Sequence, residues 1–97
     1  MGKYAILINA NTDDAHTGAC ANGLEYALDF DDGGHEVELY FDGAATKWIR
    51  KLESDAESPV DKYYEEIRDR GLITGVCRYC AGAYGVDDAV AEASIPL

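Results

Sequence analysis

The chain has 97 residues, of which 47% are hydrophobic, and its 8 Lys and Arg against 19 Asp and Glu give a net charge of −11. This length fits one domain, spanning 1–97, with its own core. The negative charge argues against a nucleic-acid-binding surface and against binding to an anionic membrane, because both require a basic patch. No apolar run is long enough to span a bilayer, and the N-terminus has no signal-peptide pattern. With only three cysteines, we predict a cytoplasmic protein with reduced thiols.

The acidic residues are spread along the chain, with Asp-Asp pairs at 13–14, 31–32 and 87–88 and only four lysines. This pattern is typical of proteins from salt-loving organisms, in which high salt screens the repulsion between surface charges. The alternative is an acidic patch that binds a basic partner or metal ions. We favour the salt interpretation because the charges fall on loops and on the outer faces of helices.

The first half of the chain alternates strand and helix patterns. Residues 4–8 are a short apolar run closed by turn formers, which predicts a strand buried on both faces. Apolar residues at helical spacing then predict a helix from about 14 to 31, which the glycines at 33–34 end. Residues 36–41 alternate strictly, which is typical of a half-buried or edge strand.

The second half begins with two helical patterns, which are separated by a polar loop at 53–59. Residues 72–76 predict a third strand, which leads into a short Ala-rich helix that ends at Gly85. The tail to Leu97 has room for one more short helix. The order β-α-β-α-α-β-α predicts an α/β fold, a three-layer α/β/α sandwich around a parallel sheet.

Sites in open parallel sheets gather beyond the carboxyl ends of the strands. The segments at 9–14, 42–45 and 77–80 should therefore meet at one edge. If the first and third strands are neighbours, Asn11 and Thr12 lie beside the cysteines. We predict that these two residues form part of a substrate pocket.

Cys77-Arg78-Tyr79-Cys80 is the most informative motif. Cys77 follows a strand and precedes a helix, where backbone N–H groups and the charge of Arg78 favour a thiolate. Cys80 is three residues later and therefore on the same helix face. We predict that Cys77 and Cys80 are the catalytic residues and that Arg78 and Tyr79 belong to the pocket. The simpler interpretation, two small buried apolar residues, is disfavoured at a strand end that leads into a polar loop.

The third cysteine, Cys20, lies on the apolar stripe of the first helix and is predicted to belong to the core. Together with His16, Cys77 and Cys80 it has the residue types of a zinc site. One CxxC motif plus a helical His/Cys pair is a weak signal, however, and we predict no metal. Nucleotide-binding motifs are also missing, so no cofactor is expected.

Residues 75–86 resemble the cysteine block of the DsrE/DsrF-like family of sulfur-relay proteins, and the first strand and residues 34–37 and 41–44 are similar as well. The resemblance implies a flavodoxin-like sandwich that assembles into trimers or hexamers. It also implies a relay cysteine eight residues before a closing glycine, which falls on Cys77 and Gly85. Cys80 corresponds to a second cysteine that many members have. The family continues into a final helix and strand that this sequence does not show, and the acidic composition suggests a haloarchaeal type of member.

The sequence therefore predicts a small sulfur carrier that holds sulfane sulfur as a persulfide on Cys77 and exchanges it with donor and acceptor proteins. A homotrimer or homohexamer is expected from the resemblance. One alternative is a dithiol redox protein that uses Cys77 and Cys80. The other is a non-catalytic oligomeric module whose cysteines are structural or bind metal.

Overall fold

The computed structural model describes residues 1–54 and 57–97. The polar loop predicted at 53–59 includes residues 55 and 56, which lie outside the described residues. The elements run in the order β1 (Lys3–Ile8), α1 (Thr17–Asp32), β2 (Glu36–Phe41), α2 (Lys47–Ser54), α3 (Asp61–Asp69), β3 (Ile73–Val76), α4 (Arg78–Ala83) and α5 (Asp87–Glu92). Short 3-10 turns at Asp14–His16 and Gly43–Thr46 lead into α1 and α2. The predicted order of strands and helices, the α/β class and the short helix in the tail are confirmed.

The three strands form a parallel sheet in the order β1-β2-β3. The order corrects the assumption that the first and third strands are neighbours, because β2 lies between them. Of the two possibilities that the alternation allowed for β2, half-buried or edge, the order excludes the edge position and the half-buried one is confirmed. The alternation in β2 reflects burial of one face, with Leu39 and Phe41 buried while Glu36 is exposed.

The prediction that β1 is buried on both faces is wrong for this chain. β1 pairs with β2 on one side, and among the described residues it has no other strand partner. Only Ile8 of β1 is buried, whereas Leu7 is 57% exposed. A continuous apolar run thus marks an edge strand here, and its outer face remains open to a partner.

The core lies between one face of the sheet and the helices. Successive right-handed crossovers in one direction place their helices on the same face of a sheet, and α1 packs against both β1 and β2 as well as α3. The largest fully buried side chains are Trp48, Tyr64, Phe41, Leu24 and Leu39. Among the described residues, no helix combines the length and the apolar composition that crossing a bilayer requires.

Two sets of hydrogen bonds position the loops at the carboxyl edge of the sheet. On one side, Trp48 Nε1 donates to Ala10 O at 2.9 Å and Lys51 Nζ donates to Thr12 O at 3.1 Å, so the loop after β1 is held against α2. On the other side, Cys77 N donates to Phe41 O at 3.0 Å. This second bond joins the ends of β2 and β3 and brings the residue after β2 next to the cysteine motif.

Candidate functional site

Cys77 stands at the junction between β3 and α4. Its backbone is not helical, with φ −58° and ψ 113°, and its side chain serves as the N-cap of α4. Cys77 Sγ accepts a hydrogen bond from the backbone N–H of Cys80 at 3.3 Å, while Cys77 O accepts from Ala81 N at 2.9 Å. A sulfur in this position lies within reach of a backbone N–H, whose hydrogen bond a thiolate or a persulfide anion can accept.

Cys80 lies one helical turn further along α4, with its Sγ 2.9 Å from Cys77 Sγ. It also approaches the carboxylate of Asp42, at 3.8 Å from Oδ1. The hydrogen bond with Cys77 raises the pKa of Cys80, and burial and the nearby Asp42 add to the shift, against a backbone hydrogen bond from Gly43 that lowers it. Cys80 therefore holds its proton more tightly than an ordinary thiol does.

An apolar depression of about 300 Å³ opens beside Cys77. Its lining residues come from the ends of the three strands: Leu7, Tyr40, Phe41, Asp42, Gly75, Val76 and Cys77. Gly75 lies next to the Tyr40 ring, which a Cβ at this position would approach to 3.6 Å. The depression therefore places a mostly apolar surface beside Cys77, on which an apolar group of a partner or substrate could pack.

The four predicted pocket residues lie outside the lining of this depression. Arg78 and Tyr79 form the exposed first turn of α4, with Tyr79 84% exposed. Asn11 and Thr12 follow β1, separated by β2 from the cysteines. The structure thus brings Cys77 and Cys80 together, whereas contact of the other four with a substrate stays a prediction.

Asp42 is the residue that the sequence analysis did not assign to the site. It is the first residue after β2, as Cys77 is the first after β3, and it is followed by Gly43 in a left-handed conformation with φ +57°. This position directly after a predicted strand was the sequence feature that could have identified Asp42 as a site residue. Without the strand order, however, the sequence indicated only that residues 42–45 and 77–80 reach the same edge of the sheet, and not that Asp42 contacts Cys80.

The zinc set considered from sequence does not assemble. Cys20 is fully buried on α1, as predicted, and burial raises its pKa to about 12. His16 Nδ1 is 2.6 Å from Asp13 Oδ1, at the exposed start of the first helical region. Within the described residues, the group of potential ligand atoms that cluster within 4.8 Å of one another is Asp42, Cys77 and Cys80.

Comparison with known proteins agrees with the resemblance noted in the sequence. Residues 2–96 match the DsrE/DsrF-like family. No curated protein and no solved structure matches the chain.

Proposed function

The chain belongs to the DsrE/DsrF-like family, and on this basis we propose that it is a sulfur carrier that holds sulfane sulfur as a persulfide on Cys77. The observation that carries the proposal is the position of Cys77 Sγ. The sulfur caps α4 and accepts a hydrogen bond from Cys80 N at 3.3 Å, and Cys77 is one of the residues that line the apolar depression. These features leave the sulfur reachable from solvent and in contact with a backbone hydrogen-bond donor.

Loading is a thiol exchange at sulfur. The Cys77 thiolate attacks the outer sulfur of a donor persulfide, a new S–S bond forms on Cys77, and the donor cysteine leaves as a thiolate. In delivery, an acceptor thiolate attacks the outer sulfur of the Cys77 persulfide, and Cys77 returns to the thiolate. No net oxidant or reductant is consumed. The donor and acceptor are proteins with reactive thiols. This chemistry requires Cys77 to be reduced, which is the state that a cytoplasmic location maintains.

Cys80 is suited to an auxiliary role. With its Sγ 2.9 Å from Cys77 Sγ, it is close enough to attack the inner sulfur of the persulfide. That attack forms a Cys77–Cys80 disulfide and releases hydrogen sulfide. In the unloaded chain the hydrogen bond with Cys77 raises the pKa of Cys80, which disfavours the thiolate that this attack needs.

The same 2.9 Å separation favours a second candidate function, a dithiol redox protein that cycles between the two thiols and their disulfide. Such a protein would oxidise and reduce a partner without gaining sulfur. An exchange assay with a disulfide substrate distinguishes the two functions, because a sulfur carrier needs only Cys77 whereas a dithiol catalyst needs both cysteines.

The test is intact-mass spectrometry after incubation with a cysteine desulfurase and cysteine. We expect a gain of about 32 Da, one sulfur atom, on the wild-type chain and on Cys80→Ser, and no gain on Cys77→Ser. Cys20→Ala is the matched control, since its buried thiol should not affect loading. Loss of loading in Cys80→Ser but not in Cys77→Ser would reverse the assignment. Equal loading in all variants would refute the carrier function.

A further inference from the structure

We propose that Asp42, Cys77 and Cys80 form a binding site for a thiophilic divalent cation of the Zn²⁺ type, and that bound metal and sulfur loading exclude one another. The proposal differs from the expectation of no metal because it includes Asp42, which only the folded chain places beside the thiols. It depends on the proposed function only for the exclusion, since the metal site rests on the three side chains themselves.

The separations between the ligand atoms fit a tetrahedral ion. With bonds of about 2.3 Å to sulfur and about 2.1 Å to oxygen, tetrahedral geometry requires roughly 3.8 Å between sulfurs and roughly 3.6 Å between sulfur and oxygen. Cys80 Sγ and Asp42 Oδ1 are 3.8 Å apart, and all three ligand atoms lie within 4.8 Å of one another. The two sulfurs, now 2.9 Å apart, must separate by about 0.9 Å, which small side-chain rotations provide.

The chemical nature of the ligand atoms determines which metal ions the site would prefer. Two thiolates favour Zn²⁺ and other soft or borderline ions over Mg²⁺ and Ca²⁺, which prefer sites made of oxygen ligands only. The carboxylate of Asp42 adds a third bond and a third negative charge, which a dithiol without an acid does not supply. All three residues are partly exposed, so an ion can reach them and a solvent molecule can occupy the fourth position.

Metal binding would change the reactivity of the site. Each thiol loses a proton when its sulfur bonds to the metal, and the lone pair that attacks a donor persulfide is then engaged in the metal–sulfur bond. Conversely, a persulfide on Cys77 places a second sulfur between the side chain and the ion. The carrier would therefore be inactive while metal is bound and would regain activity when a chelator removes it.

The test of the site itself uses Co²⁺ as a spectroscopic probe on reduced, metal-free full chain. We expect one equivalent to produce the thiolate charge-transfer and tetrahedral d–d bands, and one equivalent of Zn²⁺ to displace the Co²⁺. Cys77→Ser and Cys80→Ser should each lose these bands, and Asp42→Asn should bind at least tenfold more weakly. Asp88→Asn, which removes an exposed acid at the start of α5, is the matched control and should bind as wild type does.

Absence of thiolate bands at one equivalent of Co²⁺ would overturn the site, as would wild-type affinity in Asp42→Asn. The exclusion is tested separately by adding one equivalent of Zn²⁺ before the sulfur donor, with and without a chelator added after the metal. Loss of the mass gain with Zn²⁺ and its return with the chelator support exclusion, whereas an unchanged gain overturns it. If metal binds but the metal-free chain never gains sulfur, the carrier function fails while the metal site stands.

Discussion

The three cysteines of this chain occupy two chemical environments. Cys77 and Cys80 are partly exposed at the carboxyl end of β3, within hydrogen-bond distance of each other. Cys20 is fully buried on α1. Since only a thiolate is a good nucleophile, burial makes Cys20 inert, whereas Cys77 and Cys80 can be reached from solvent. A helical apolar spacing was enough to predict this division for Cys20, because burial follows directly from its position on the inner stripe.

Burial of Cys20 should make the fold sensitive to alkali. Its pKa is raised from 9.0 to about 12 in the folded chain. The stability that this buried thiol contributes is therefore fully present below about pH 9 and is lost as the pH rises toward 12, because the unfolded chain loses this proton first. The slope from this one group approaches about 1.4 kcal/mol per pH unit.

The measurement is urea unfolding of the wild type and Cys20→Ala at several pH values between about 8 and 11. We expect Cys20→Ala to be less stable at pH 8, where a core side chain has been shortened, but to lose stability less steeply as the pH rises. Parallel pH profiles for the two proteins would show that Cys20 does not titrate in this way.

At the scale of elements, the helix that carries Cys80, α4, has only six residues. The residues at its ends therefore contribute much of its stability. Gly85 follows it in a left-handed conformation with φ +70°, and its N–H donates to Gly82 O at 3.1 Å. Gly82 is an exposed residue inside the helix, and a Cβ there would meet no atom within 4 Å. Gly85 thus adopts a backbone conformation that favours glycine, whereas Gly82 occupies a helical position that has room for a side chain.

Substituting these two glycines should have opposite effects. Gly82→Ala should stabilise the fold by about 0.5–1 kcal/mol, because alanine is the better helix former and constrains the unfolded chain. Gly85→Ala should destabilise it by about 1–2 kcal/mol, because a Cβ is unfavourable at positive φ. Thermal unfolding of both variants and the wild type shows whether each substitution raises or lowers the Tm. A Tm shift in the same direction for both would contradict the different roles of the two glycines.

At the scale of the whole molecule, the net charge of −11 on 97 residues is the dominant property. Repulsion among these charges destabilises the folded state, and salt screens it. We expect the Tm to rise between about 0.1 and about 2 M KCl. Glu25→Lys, an exposed change on α1 that makes the net charge less negative, should show a smaller rise. A Tm independent of salt would contradict the salt-adapted interpretation.

The open side of the sheet argues for self-association. β1 is an edge strand, and Leu7 is 57% exposed on it. Exposed apolar edges in stable proteins are normally covered. We expect light scattering to show a homotrimer or homohexamer of the 10.5 kDa chain.

Two separate single substitutions test whether the contact between subunits lies on the open sheet face. Leu7→Lys should shift the population toward monomer, because it places a charge on the open sheet face. Tyr26→Lys is the matched control, since Tyr26 is 56% exposed on α1 and should leave the assembly intact. A monomeric wild type would refute the assembly, and equal effects of the two variants would refute this location for the contact.

The sequence by itself determined the order of strands and helices, the burial of Cys20 and the position of Cys77 at the end of a strand. Each of these depends on spacing within a short segment, where periodicity and turn-forming residues act locally. The tertiary structure alone decided that β2 is central, that Leu7 is exposed and that Asp42 lies beside Cys80. Those facts depend on which strands pair. The apolar pattern of a strand reports which of its faces is buried, and not which strand, more than 30 residues away in the sequence, lies beside it.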